Sequence, residues 1–481
     1  MTTPAFSAPS VPVPVPRALV LDDLWPEPRP VPRPRLVASA LVVGLAAAAV
    51  LPDTAPGIGW FVVLLAAAGV VLHSDERRRT PAHLAAALLG TALLSPLVLL
   101  DAPWVVALCL LAALAVGVTT LVDARSVGGI AVAALALPLA SLRGMPWLTR
   151  SLSAVPRAGS WWPVLRTVCV SLLLVVVFGV LFASADAVFS SWADALVPDI
   201  SGDWLAVRVL VLVAATGMTL CGAYVALNPP RVERLAMSPG RPVRRTFEWL
   251  VPVALVVAVF AVFVVAQAAA MFGGHGYVRR TTGLTYAEYV HQGFGQLTVA
   301  TLLTLVVVAM AARRADRSTP ARRLLLRVAL GLLCLLTVVV VVSALHRVLV
   351  YEQAYGFTRL RLLVSVFEGW LGFVVLLVMA AGLRLRGGWV PRAALLSGAV
   401  AVLALAAVNP DAWIARENLD RFDRTGKVDL AYLQGLSTDA APTLVRYGTT
   451  PGSCLAPGGL RPAGGLSWNL SRDRAGGLGC P

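Results

Sequence analysis

The chain has 481 residues, of which 58% are apolar and 14% charged. Soluble domains average about half apolar and about a quarter charged, so both figures point away from an ordinary soluble enzyme. The net charge is +15, and Lys427 is the one lysine among 40 basic residues.

Residues 1–35 hold ten prolines, in alternations such as Val11-Pro12-Val13-Pro14-Val15-Pro16. Alternating proline favours extended polyproline II and opposes a packed core, so this segment reads as a disordered cytoplasmic tail. It is either a solvated tail or a ligand for a proline-recognising partner. The first apolar run begins only at Leu36, which argues against a cleavable signal peptide.

A helix that crosses a bilayer needs about 20 mostly apolar residues. Runs of that kind fall at 36–51, 57–72, 83–100, 102–122, 127–142, 167–186, 204–227, 250–271, 294–312, 328–350, 362–383 and 393–408. Pro, Gly or arginine separates them, and Trp60, Trp104, Trp204, Trp249, Trp370 and Trp389 lie mostly near their ends, where amphipathic rings prefer the interface. The runs lack the polar face that a soluble helix shows at a 3.6-residue period. The predicted fold is all-α, a polytopic transmembrane bundle of eleven to twelve spans over residues 36–408.

Arginine placement orients the bundle. Eighteen arginines fall in four alternate loops, at 143–166, 228–247, 313–327 and 384–392, and the positive-inside rule makes those loops cytoplasmic. Residues 187–203, 272–293, 351–361 and the tail 409–481 then face outside. Arg77, Arg78 and Arg79 also read as cytoplasmic, yet three runs separate them from Arg143. The conflict disappears if one early run does not cross. The run 127–142 is short and contains Pro138, and without it eleven crossings place the N-terminus inside.

Four cysteines (Cys109, Cys169, Cys221, Cys334) sit in apolar runs, where cysteine packs as a small hydrophobe. Cys454 and Cys480 lie in the tail, and an outside tail is an oxidising setting, so a Cys454–Cys480 disulfide is expected. Its loop would remove about 3–4 kcal/mol of unfolded-state entropy, and order beyond Thr449 is not expected without such a staple. No Cys-x-x-Cys pair and no His-Glu-x-x-His occurs, which predicts no metal site. A phosphate-cradling Gly-x-x-x-x-Gly-Lys-Ser/Thr loop and a Gly-x-Ser-x-Gly elbow are also missing, and no cofactor is implied. The positive charge belongs to membrane orientation and anionic lipid rather than to nucleic acid.

Charge inside hydrocarbon is costly, so ionisable residues near apolar runs mark cavities or pairs. Glu368 lies about two turns inside 362–383, and His346 and Arg347 close 328–350 on the same side. Asp186, Arg208 and Gln267 lie near outer run ends. The loop Tyr351-Glu352-Gln353-Ala354-Tyr355-Gly356-Phe357-Thr358-Arg359-Leu360-Arg361 mixes tyrosine with charge, as a polar collar or a headgroup or sugar site would. In 275–297, Thr285 and Glu288 form a capping-box pattern, and Glu288 and His291 share one helical face. The candidate polar site is therefore Glu368, Arg359, Arg361, Glu352, His346, Arg347, Glu288 and His291. Glu368 is expected beside Arg359, Arg361 or Arg347, because a guanidinium offsets the desolvation of a carboxylate.

Several of these residues also carry a family resemblance. Leu284-Thr285-Tyr286-Ala287-Glu288-Tyr289, Gln292-Gly293-Phe294 and Ala354 to Arg361 are similar to a bacterial multi-pass membrane family catalogued as a domain of unknown function, of the 4153/4173 type. So are Asn409-Pro410-Asp411, Ile414 to Asn418, Asp429-Leu430, Tyr432-Leu433 and Leu436 to Ala440. The resemblance spans most of 36–450 and implies the architecture but no reaction.

Three functions fit these features. The first is a permease in the cytoplasmic membrane for a small polar or envelope-related solute, with Glu368 as coupling carboxylate. The second is an envelope enzyme acting on a lipid-linked sugar, with Glu288, Glu352 or Glu368 as base. The third is a scaffold or sensor that recruits a partner through its proline-rich end. A permease would show inverted halves, of which the sequence gives no convincing sign.

Overall fold

A computed structural model describes residue 25, residues 31–75, 80–154, 203–234, 245–282, 294–447 and 464–478, and scattered positions between 167 and 189. Every element among the described residues is helical. In chain order they are α1 (Pro34–Val50), α2 (Ile58–Ser74), α3 (Pro81–Leu94), α4 (Pro96–Leu99), α5 (Pro103–Leu121), α6 (Val127–Ala133), α7 (Ala136–Arg143), α8 (Met145–Ser153) and α9 (Asp203–Leu227). They continue as α10 (Phe247–Thr282), α11 (Phe294–Arg314), α12 (Pro320–Tyr355), α13 (Arg359–Arg384), α14 (Val390–Ala407), α15 (Pro410–Thr425), α16 (Leu430–Gln434), α17 (Ala441–Tyr447) and α18 (Leu470–Gly476).

Local sequence sets many of these boundaries. Proline opens α3, α5 and α12 at a position whose N–H has no helical partner. Thr80, Thr319 and Thr358 cap α3, α12 and α13 by accepting from the N–H three residues on.

Eight described helices are long and apolar enough to cross a bilayer, with α3 and α4 together forming one. The apolar helices α1 and α2 are slightly shorter, at 17 residues each. The 127–142 run does not span: it breaks into α6 and α7, of 7 and 8 residues. Pro138 has no N–H to continue a helix through the junction at 134–135. The 167–186 run lies outside the described residues except for isolated positions.

The helices stand side by side. α9 packs on α1 and α2, α3 on α5, α5 on α14, α14 on α13, α13 on α12, and α12 on α10 and α11. Their outward faces are bare hydrocarbon, with Leu88 73%, Val262 71% and Leu210 68% exposed. Soluble monomers do not leave apolar surface on this scale uncovered. Lipid tails satisfy it, and the chain is a multi-pass membrane protein.

The two ends of the bundle differ. At one end Arg392 at the start of α14 reaches Asp123 after α5 (3.4 Å), and Arg317 donates to the Leu385 carbonyl after α13 (3.3 Å). Here too Glu233 accepts from the N–H groups of Arg125 (2.7 Å) and Ser126 (3.0 Å). The described parts of the four arginine-rich loops therefore share one end.

Trp25 of the proline-rich segment is built into that same end. Trp25 is 1% exposed. Its ring packs 5.8 Å from that of Tyr224, its indole N–H donates to the Asn228 carbonyl at 2.7 Å, and its own carbonyl accepts from Arg143 at 2.8 Å. An indole offers a large apolar face and one donor, and this slot satisfies both. The rest of residues 1–30 lies outside the described residues.

The opposite end carries a cap. Residues 410–447 and 464–478 fold over it, with Ile414, Ala415, Leu419, Leu433, Leu436, Ala440 and Leu444 closing a core on Phe357. Residues 410–447 thus form a packed layer. Residues 464–478 are tied to the bundle by side-chain bonds: Asn469 donates to the carbonyls of Leu97 (3.0 Å) and Leu100 (2.8 Å). Arg472, 2% exposed, bonds Asp101 (2.6 Å) and the carbonyls of Pro56 (2.5 Å) and Ser467 (2.8 Å). Cys454 and Cys480 lie outside the described residues.

Candidate functional site

The turn between α12 and α13 joins the cap to the bundle. Gly356 has φ +86°, and a Cβ there would stand 2.5 Å from Asn418 Oδ1, so glycine is required on both counts. Asn418 accepts from the Phe357 N–H (3.0 Å) and donates to the Phe357 carbonyl (2.9 Å). Arg421 donates to the carbonyls of Gln353 (3.1 Å) and Ala354 (2.6 Å), placing a cation on the free carbonyls that end α12.

Arg359, at the first position of α13, forms a two-pronged ion pair with Asp411 of α15: Nε lies 2.9 Å from Oδ1, and Nη2 bonds Oδ2. Asp411 is fully buried and also accepts from the Trp104 indole (3.1 Å) and the Ser437 N–H (2.9 Å). Burial pushes its carboxyl up, but the bonds from Arg359 and Ser437 outweigh burial and hold it below the ordinary carboxylate range. Nearby, Asp439 accepts the Asp101 N–H on both oxygens (3.0 and 3.1 Å). At Asp439 burial wins and raises the carboxyl, despite bonds from Ser471, Asp101 and Ser437. These acids are fully engaged in fastening the cap.

Two other acids are not engaged in this way. Glu352, in the last turn of α12, is 2% exposed, and its Oε1 has no hydrogen-bond partner. Arg361 attracts it from α13 and is itself stacked 4.5 Å over the Tyr351 ring. Glu368 is fully buried on α13, accepts one bond from Thr298 of α11 (2.9 Å) and leaves Oε1 without a donor. Ser365, one turn before Glu368, has a buried hydroxyl that is likewise without a partner.

The structure thus groups Glu352 with Arg361, and Glu368 with Thr298. It assigns Arg359 to Asp411 and Arg347 to Gln267 of α10 (2.5 Å), while His346 is exposed. Glu368 makes no ion pair with Arg359, Arg361 or Arg347, contrary to expectation. Arg359 lies nine residues from it, about 13 Å along the helix axis. Arg208 pairs with Asp53 and the Ala48 carbonyl (3.1 Å), a fastening of α9 to α1. Glu288 and His291 lie outside the described residues. Sequence reasoning missed Thr298 and Asp411 as partners, and Ser365 as a buried hydroxyl beside Glu368. Asp411 carried a signal in the resemblance around Asn409-Pro410-Asp411, but two hydroxyls within apolar runs carried none. Among the described residues no three His, Cys, Asp or Glu side chains stand together to hold a metal.

The architecture defines a polytopic α-helical membrane protein with a folded cap on one end. The sequence profile of the family described as Domain of unknown function (DUF4153) matches residues 83–447, and the chain belongs to that family. No curated protein and no solved structure matches it.

Proposed function

We propose that the protein is a permease-like transporter of the cytoplasmic membrane that moves a small polar or envelope-related solute and couples its passage to Glu368. In this reading the arginine-rich end and the N-terminus are cytoplasmic, as the positive-inside rule requires, and the cap faces outside. The observation that carries the proposal is Glu368 itself: a fully buried carboxyl within an apolar helical bundle, with one hydroxyl donor and one free oxygen. Ionisable groups kept at such a position mark ion or proton pathways, because the bilayer makes them expensive to retain.

Dicyclohexylcarbodiimide, an apolar reagent that attacks protonated carboxyls, tests this reading. Peptide mass spectrometry should find Glu368 modified in the membrane-embedded protein, with labelling falling as pH rises and abolished in Glu368→Gln. Labelling confined to cap acids would refute the assignment.

A further inference from the structure

Of the eleven buried side-chain atoms without a hydrogen-bond partner among the described residues, three lie on the α12–α13 hairpin: Glu352 Oε1, Ser365 Oγ and Glu368 Oε1. Buried polar atoms are almost always bonded, so a cluster of exceptions calls for a cause. Their placement is ordered. Arg361, Ser365 and Glu368 follow at intervals of four and three residues and share one face of α13. Glu352 stands across the turn, next in sequence to Tyr351, whose ring carries the Arg361 guanidinium at 4.5 Å, and this contact sets the end of α12 at the level of Arg361. From that level to Glu368 is roughly 10 Å along the helix axis, with Ser365 between them.

We infer that Glu352, Ser365 and Glu368 form a proton path from the cap-facing end of the bundle to the interior carboxyl, with Glu352 as its outer station. The inference rests on the reading of Glu368 given above and adds the route by which it is reached. A proton from water at the cap end binds the Glu352 carboxylate. Glu352 then gives one proton toward the Ser365 hydroxyl, which accepts it as it donates its own toward the Glu368 carboxylate. Ser365 ends neutral, Glu352 returns to carboxylate, and Glu368 carries the proton. Water bridges gaps too wide for a direct bond.

The surrounding charges are compatible with this direction. Arg361 favours refilling of the Glu352 carboxylate's negative state after each transfer. Arg421 of α15 is occupied by the carbonyls of Gln353, Ala354 and Lys427. On α12 Arg347 is held by Gln267, and His346 is exposed. The partner that α11 offers to Glu368 is the neutral Thr298.

The test is infrared spectroscopy of full-length protein in lipid, switched from light to heavy water, following the carbonyl stretch that Glu368→Gln abolishes. Its shift times the arrival of deuterons at Glu368. Glu352→Gln and Ser365→Ala should each slow that shift by about tenfold or more, the effect of one lost hydrogen bond of about 1.4 kcal/mol. Ser365→Thr, which restores a hydroxyl, should recover the rate, and Ser343→Ala on α12 should leave it unchanged. Unaltered exchange in both Glu352→Gln and Ser365→Ala overturns the path while leaving Glu368 as the coupling group. If wild type and Glu368→Gln give identical spectra at every pH, both the path and the coupling role are overturned.

Discussion

Replacing Asp411 by asparagine removes one charge from a fully buried site and alters its volume little. Asp411 receives four donors, two from Arg359 and one each from Trp104 and Ser437. Asparagine keeps one acceptor oxygen and turns an NH₂ toward the others, so about two bonds to a charged acceptor are lost. At about 1.5–3 kcal/mol each, that is about 3–6 kcal/mol. The smaller cost of burying a neutral group trims this to about 3–5 kcal/mol, the usual range for breaking one side of a buried pair. The readout is hydrogen exchange across residues 410–447 of the full-length protein in nanodiscs. A loss of about 3–5 kcal/mol makes opening of the cap about 10²–10⁴ times more frequent. Asp411→Leu combined with Arg359→Met should recover only part, because the Trp104 and Ser437 donors still have no acceptor. A change below about fivefold, or about 1 kcal/mol, would refute the view that Asp411 fastens the cap.

Cap protection should peak near the ordinary aspartate value of about 3.9. Asp411 is lowered in the folded state, so its stabilisation is present above that value and lost as pH falls through the lowered one. Asp439 is raised and works in reverse, costing stability as pH rises from the ordinary value to the folded one. Exchange corrected for intrinsic amide rates should show the peak, and Asp439→Asn should remove the decline on its alkaline side; a wild-type rise without decline would contradict this. At the α1–α9 crossing, a Cβ on Gly44 would lie 1.9 Å from Thr216 Oγ1 and 2.9 Å from the Leu212 carbonyl oxygen. Gly44→Ala should therefore cost about 1–3 kcal/mol and lower the thermal midpoint in detergent, and Thr216→Ala should relieve only part because the carbonyl cannot move away. For orientation, a membrane-impermeant maleimide on intact cells should label Lys427→Cys on the cap and leave Ser318→Cys at the arginine end unlabelled until the cells are permeabilised. The opposite pattern would invert the topology.

What the sequence determined by itself is what depends on composition and short-range pattern. Continuous apolar runs without a polar face dictate helices that meet lipid, since an isolated span must satisfy its own backbone groups whatever its neighbours are. Pro138 in a short run made 127–142 a candidate for the early run that does not cross, and the arginine alternation marked loops whose described parts the fold gathers at one end. Pairing is another matter, because it depends on which helices become neighbours. Arg359 and Asp411 are 52 residues apart, Trp104 and Asp411 are 307, and Arg472 and Asp101 are 371. No local periodicity relates such residues. The same limit explains the error at Glu368: arginines near in sequence suggested an ion pair, but nine residues of helix hold Arg359 at the cap beside Asp411, while α11 brings Thr298 alongside. Trp25 shows it at the N-terminus, where proline alternation says nothing about a slot between Tyr224 and Asn228. Composition sets the solvent in which each segment is stable, and only the packing of distant segments decides which polar atoms find partners and which are left free to do chemistry.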